Sequence, residues 1–177
     1  TPQSEPPNAP TPNAPTPNPK PTTRTPQPDP PFVMEATRTE QDAEVFQTIR
    51  NYVGDIGLVI AKTDAEEALL VVEDEDRGIS NMVIDCEDPI LEIQQAIMGV
   101  PEGADPSHLY ERLLKMNGTL VHGAFTLSED GTQIRFRDTL RLATLDLEEL
   151  RGTINALHFA IEEYGDELVA LRHELDG

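Results

Sequence analysis

The chain has 177 residues, with 33 acidic and 13 basic side chains, a formal net charge of −20 and a single cysteine. One cysteine excludes an intramolecular disulfide and any multi-cysteine zinc or iron–sulfur site. The acidity argues against docking on nucleic acid or directly on an anionic membrane, both of which repel it, and favours a basic protein partner over either.

In chain order, 13 of the 16 prolines fall within the first 31 residues, a stretch with no apolar side chain larger than Ala. Such a segment cannot bury enough surface to offset its ordering entropy, so residues 1–31 are expected to form an extended arm or linker. Residues 32–177 match the length of one domain with an ordinary core and hold 31 of the acidic and 11 of the basic residues. No apolar run approaches the ~18 residues of a membrane-spanning helix, and no signal peptide is visible in residues 1–177, so a cytoplasmic location is expected.

Within the domain, Thr39 is a candidate N-cap, and Val45, Phe46, Ile49, Tyr52 and Val53 recur at helical spacing up to Gly54. Three short runs of strand character follow, 56–62, 68–73 and 79–86, separated by polar turns, and predict an antiparallel meander. Residues 90–100 fit both periods: Ile90, Ile93 and Ile97 suit a helix, while Leu91, Ile93 and Ile97 suit a strand face interrupted by Gln95. The density of isoleucine favours a strand. Asp105 and Pro106 predict the start of a second helix with Leu109, Leu113 and Met116 as its buried stripe, closed by Asn117 and Gly118 in a left-handed cap. Residues 119–127 and 132–142 read as a hairpin whose turn needs positive φ at Asp130 and Gly131. The last helix starts at the Asp146 cap, with Glu149 three residues on, and its apolar stripe runs from Leu147 to Leu171, with a bend expected at Gly165. The order α-β-β-β-(β)-α-β-β-α predicts an α+β fold: a twisted antiparallel sheet with helices packed on it.

Chemistry-bearing patterns are scarce. His108, His122, His158 and His173 include no i, i+4 pair of the metal-binding kind, so no metal or cofactor is expected. The acidic run Glu73–Gly78 fails as a calcium loop: with Gly78 sixth, the fifth position is Arg77 and the twelfth is Ile84, where a bidentate Glu is required. No phosphate loop, G-x-S-x-G or C-x-x-C motif occurs, so no enzyme activity and no catalytic residue is expected. Cys86 lies between acidic neighbours that suppress its thiolate and reads as a buried strand residue. His122 reads as a packed, hydrogen-bonded residue sharing a strand face with Leu120 and Ala124, next to a glycine that lets a neighbouring backbone or helix approach.

Two features are candidate partner-binding surfaces. Arg135, Arg137 and Arg141 share one face of a strand; cross-strand pairing with the domain's own acids is the commoner use of such residues, and an anion or acidic-peptide stripe is the competing one. Leu168 and Leu171 extend the last helix's stripe further than short strands need covering, which predicts a contact with a second subunit, as in a homodimer, or with a partner helix.

The segments NMVIDCEDPILEIQQAIM (81–98), LLKMNGTLVHGAF (113–125), IRFRDTLRLATLDLEEL (134–150) and INALHFAIEEYGDEL (154–168) resemble the YbjN-like family, whose members are also described as Tir-chaperone-like after the type III secretion chaperones. The resemblance spans about residues 39–171. It implies a bacterial secretion-chaperone-type α/β sandwich, non-enzymatic and often dimeric, acting as a chaperone-like or regulatory adaptor that binds protein through a sheet edge or an apolar groove. It carries no agreed active-site residues, and the proline-rich segment and the strong acidity depart from its pattern. The competing expectations are an accessory subunit of a larger assembly with the arm docked on its neighbours, and a small-molecule sensor or enzyme with an unrecognised site.

Overall fold

A computed structural model describes residues 40–176; the expected Thr39 cap and the 1–31 arm lie outside them. The described chain runs α1 (Glu40–Ile56), β1 (Val59–Asp64), β2 (Leu69–Asp74), β3 (Ile79–Glu87), β4 (Ile90–Gly99), α2 (Ser107–Asn117), β5 (Ala124–Leu127), β6 (Gln133–Arg141) and α3 (Leu147–Glu174). The six strands form one sheet in the order β1-β2-β3-β4-β6-β5. Every neighbouring pair is antiparallel. This is the expected α+β arrangement, with the ambiguous 90–100 segment resolved as a strand.

Alternation decides that segment. Leu91, Ile93 and Gln95 point inward, while Ile90, Glu92 and Gln94 point to the other face. Gln95 does not interrupt the buried face; it belongs to it. Its amide oxygen accepts from the Ser80 N–H at 3.0 Å and its amide nitrogen donates to the Gly78 carbonyl at 2.9 Å. Those backbone groups lie where the β2–β3 register shifts, between Val72 and Asp74, so a buried side chain supplies hydrogen bonds that the ladder drops.

All three helices cover one face of the sheet. Phe46, Ile49 and Val53 of α1 and Leu150, Ile154 and Leu157 of α3 bury the inward residues of β2, β3 and β4 together with Phe136. A second cluster joins Leu109, Leu113 and Met116 of α2 to Phe125, Ile134, Leu168 and Leu171. Each such side chain, removed from water, contributes about 1.5–3 kcal/mol. Cys86 is buried, as its sequence context suggests. The opposite face carries a continuous cross-strand row, Lys62, Val71, Val83, Gln94, Arg137 and Ala124, with no described element over it.

Several local expectations are corrected. α1 runs through Gly54 to Ile56, so β1 begins at Val59 rather than near residue 56. Gly118 is right-handed (φ −66°): the α2 end is closed by backbone donors, the Gly118 N–H to the Lys115 carbonyl and the Thr119 N–H to the Met116 carbonyl, and not by a left-handed turn. At the β5–β6 turn only Gly131 has positive φ (74°). Asp130 acts through its carboxylate, which accepts from the Ser128 hydroxyl at 2.6 Å, the Thr132 hydroxyl at 2.8 Å and the Thr132 N–H at 3.1 Å. α3 passes Gly165 unbroken, its start fixed by Asp146, which accepts from the Glu149 N–H at 2.9 Å. Among the described residues no helix is long and apolar enough to cross a membrane.

Candidate functional site: a free sheet edge and an apolar groove

The sheet has two edges, and they differ. At β5, the Asn117 amide oxygen accepts from the Phe125 N–H at 2.7 Å and its amide nitrogen donates to the Phe125 carbonyl at 3.0 Å. One side chain thereby occupies both backbone groups of Phe125 on the outer side of β5, and it closes residues 117–125 into a loop. The strand expected over 119–127 is reduced to its last four residues. Gly123, at φ +66°, makes the final turn into β5, and a Cβ there would lie 2.2 Å from the Phe136 ring. What approaches the glycine is an aromatic ring, not a backbone or helix.

His122 is consequently in the loop and not on a strand face. Its side chain is 39% exposed, with Nδ1 4.0 Å from Asp138 Oδ2, beyond hydrogen-bond reach, and its ring lies over Gly152 of α3. Asp138 is engaged by the buried Thr153 hydroxyl at 2.6 Å. The other histidines are dispersed: His108 meets Glu174 and His158 meets Glu162. Among the described residues no three His, Cys, Asp or Glu side chains group as a metal site.

At the opposite edge, no described strand pairs with the outer side of β1. β1 carries a bulge between Ile60 and Lys62, and its Val59 side chain is 63% exposed. Main-chain donors and acceptors beside an exposed apolar side chain are what strand addition requires.

The second feature is a groove of about 360 Å³ between the C-terminal end of β4 and the C-terminal half of α3. Ile97 and Met98 form one wall; Ile161, Gly165, Leu168 and Val169 form the other, and Arg172 and His173 stand at one end. Val169 is 58% exposed. A Cβ at Gly165 would meet nothing within 4 Å, so the glycine leaves a gap in the helix surface.

Of the residues singled out in the sequence, Leu168 lies at the base of this groove and Leu171 packs inward. The stripe that looked too long for the sheet is covered by α2, which joins α3 in the second cluster and is tied to it by the Arg112–Glu167 ion pair. The three arginines diverge. Arg137 pairs with Glu92, and that hydrogen bond holds the Glu92 carboxyl below its usual range. Arg135 donates to Gln133 at 2.9 Å and to Gln94 at 3.1 Å. Arg141 is exposed and makes no ion pair among the described residues. The groove escaped the sequence reading because Val169 lies off the regular stripe; an apolar residue there, one position past Leu168 and four past a helical glycine, was the available signal.

A single antiparallel sheet with three helices on one face, bordered by an open edge and a groove, is the α+β sandwich of the type III secretion chaperones. The chain belongs to the CesT_Tir_1 family, whose model matches residues 42–174, from the first turn of α1 to the end of α3. Among solved structures it is similar to E. coli YbjN, at 16% identity and a TM-score of 0.52 over 68% of this chain and 91% of that one. Weaker likenesses are to the HopA1–SchA chaperone–effector complex (8% identity, TM-score 0.49, 77% and 99% covered) and to the ExsC–ExsE complex (17%, 0.48, 77% and 97%). Among curated proteins, none matches it in sequence.

Proposed function

We propose that this is a chaperone-like protein-binding module that holds an extended segment of a client protein along the outer edge of β1. The observation that carries the reading is the asymmetry of the edges: Asn117 closes β5, while β1 has no described partner on its outer side. Membership of a chaperone family supports it. The excess of acidic residues directs the choice of client towards basic polypeptides and away from nucleic acid and anionic membranes.

The test is hydrogen exchange. Peptides selected for binding from a displayed random library should slow exchange of the Val59–Asp64 amides more than those of Ala124–Leu127. Tight binders that leave β1 exchange unchanged would refute the edge assignment.

A further inference from the structure

Three departures from regular structure meet at the groove beside α3. The first is in β4, whose pairing with β6 skips Ile97: Ala96 stands opposite Arg135 and Met98 opposite Ile134, so the strand bulges there. In regular alternation Met98 would turn to the uncovered face; the extra residue keeps it with Ile97 on the helix side, where both pack beside the second cluster. The second is Gly165, which leaves the α3 surface open between Ile161 and Val169, about one helical turn to either side. The third is Val169 itself, an apolar side chain left 58% exposed beside that gap.

Together they shape a recess of about 360 Å³, inside the range of ~300–1,000 Å³ common to small-molecule sites, with aliphatic walls and the adaptable Met98 thioether. Along α3 its lining runs from Ile161 to His173, roughly 18 Å at 1.5 Å per residue, which accommodates an extended alkyl chain with its head group. Among the described residues none that lines it is acidic, although the chain has 33 acidic residues. Arg172 and His173 stand together at one end. Arg172 meets Asp176 through one Nη only, an exposed i, i+4 pair of the kind that contributes little, and the other donors of its guanidinium remain for an incoming carboxylate. Bases in a last helical turn also offset the helix dipole, but that role requires no apolar recess beside them.

We propose that this recess binds a free unbranched carboxylate, a fatty acid of medium chain length, with its alkyl chain over Gly165 between Met98 and Val169 and its carboxylate at Arg172 and His173. Recognition is local. The net charge of −20 disfavours anions at a distance and keeps the protein off anionic bilayers, so the occupant is a free amphiphile and not a membrane lipid. The site is separate from β1 and does not depend on protein binding there.

A heteronuclear NMR titration of the full chain with decanoate, below its micelle-forming concentration, is the test. Shifted amides should concentrate at residues 97–99 and 165–173, and octanoate should bind roughly tenfold more weakly for want of two methylenes against the apolar wall. Decylamine, cationic and of the same length, is what the net charge alone would attract; it should bind at least about tenfold more weakly than decanoate. Gly165→Leu puts a side chain into open space and improves helix propensity, so it fills the recess without breaking the fold, and it should weaken decanoate by about tenfold or more. Val169→Asp, at an exposed position, replaces it should that variant not fold. Arg172→Gln should weaken decanoate and not decylamine.

Shifts spread over the whole surface, decylamine binding as tightly as decanoate, or an affinity indifferent to Gly165→Leu or to Arg172→Gln would overturn the proposal. Sedimentation with phosphatidylglycerol–phosphatidylcholine vesicles that Gly165→Leu abolishes would overturn it in favour of a membrane lipid. The two surfaces fail independently: a groove that ignores decanoate leaves strand addition at β1 standing, and peptides that ignore β1 leave the decanoate result unchanged.

Discussion

Asn117 does with one side chain what a neighbouring strand does with two backbone groups. Its bonds to Phe125 span eight residues of sequence and fix where α2 stops and β5 starts. Asn117→Ala removes both, and because water reaches the edge the cost is expected to be about 1–2 kcal/mol in chemical denaturation, accompanied by faster exchange at Phe125. Gly123 is less forgiving. Any Cβ there meets Phe136, which is fully buried, at 2.2 Å, and does so on a backbone that L residues rarely adopt. Gly123→Ala is expected to destabilise by about 3 kcal/mol or more, measured the same way. The sequence signals both residues, Asn117 as a helix end and Gly123 as a place of close approach. It does not signal what they touch, because Phe125 and Phe136 come into reach only after β5 and β6 have paired.

Elements were legible where one period dominates. The α3 stripe and its Asp146 cap, and the alternation in β6, predict their elements to within three residues because burial on one face imposes the period. Residues 90–99 carried both periods, and Gln95 obscured the answer by standing on the buried face, satisfied by backbone fifteen and seventeen residues away. The β5–β6 turn shows a further limit. Asp130 looked like a positive-φ residue, whereas its function is to accept three hydrogen bonds, the Ser128 hydroxyl contributing most, which hold its carboxyl at about 2. Its folded value lies below the ordinary 3.8, so its contribution is present above about pH 4 and is lost as pH falls towards 2. A carbon-detected NMR titration of the Asp130 carboxyl should show a midpoint near 2, with Ser128→Ala moving it towards the ordinary value. On β6, the stripe of three arginines splits by partner. Arg137→Gln leaves Glu92 without its cation and should lower the melting temperature, whereas Arg141→Gln should change stability by no more than about 0.5 kcal/mol.

For the whole molecule, the decisive quantity is the charge of −20. So large an imbalance stores self-repulsion in the folded state, distributed over surfaces that salt can reach. Screening relieves it, and the melting temperature is expected to rise between about 10 mM and 500 mM sodium chloride, across which the Debye length falls from about 30 Å to a few ångströms. Attraction between the acidic surface and a basic client is screened by the same ions, so affinity for a lysine-rich library peptide should fall over the range that raises stability. The opposite slopes are diagnostic. A protein that bound only through apolar contact would gain stability with salt and keep its affinity, and one bound through Arg141 and its neighbours on β6 would prefer glutamate-rich peptides at every salt concentration. Differential scanning fluorimetry and peptide titration on the same salt series would separate these cases, and parallel slopes would rule out an electrostatic choice of client.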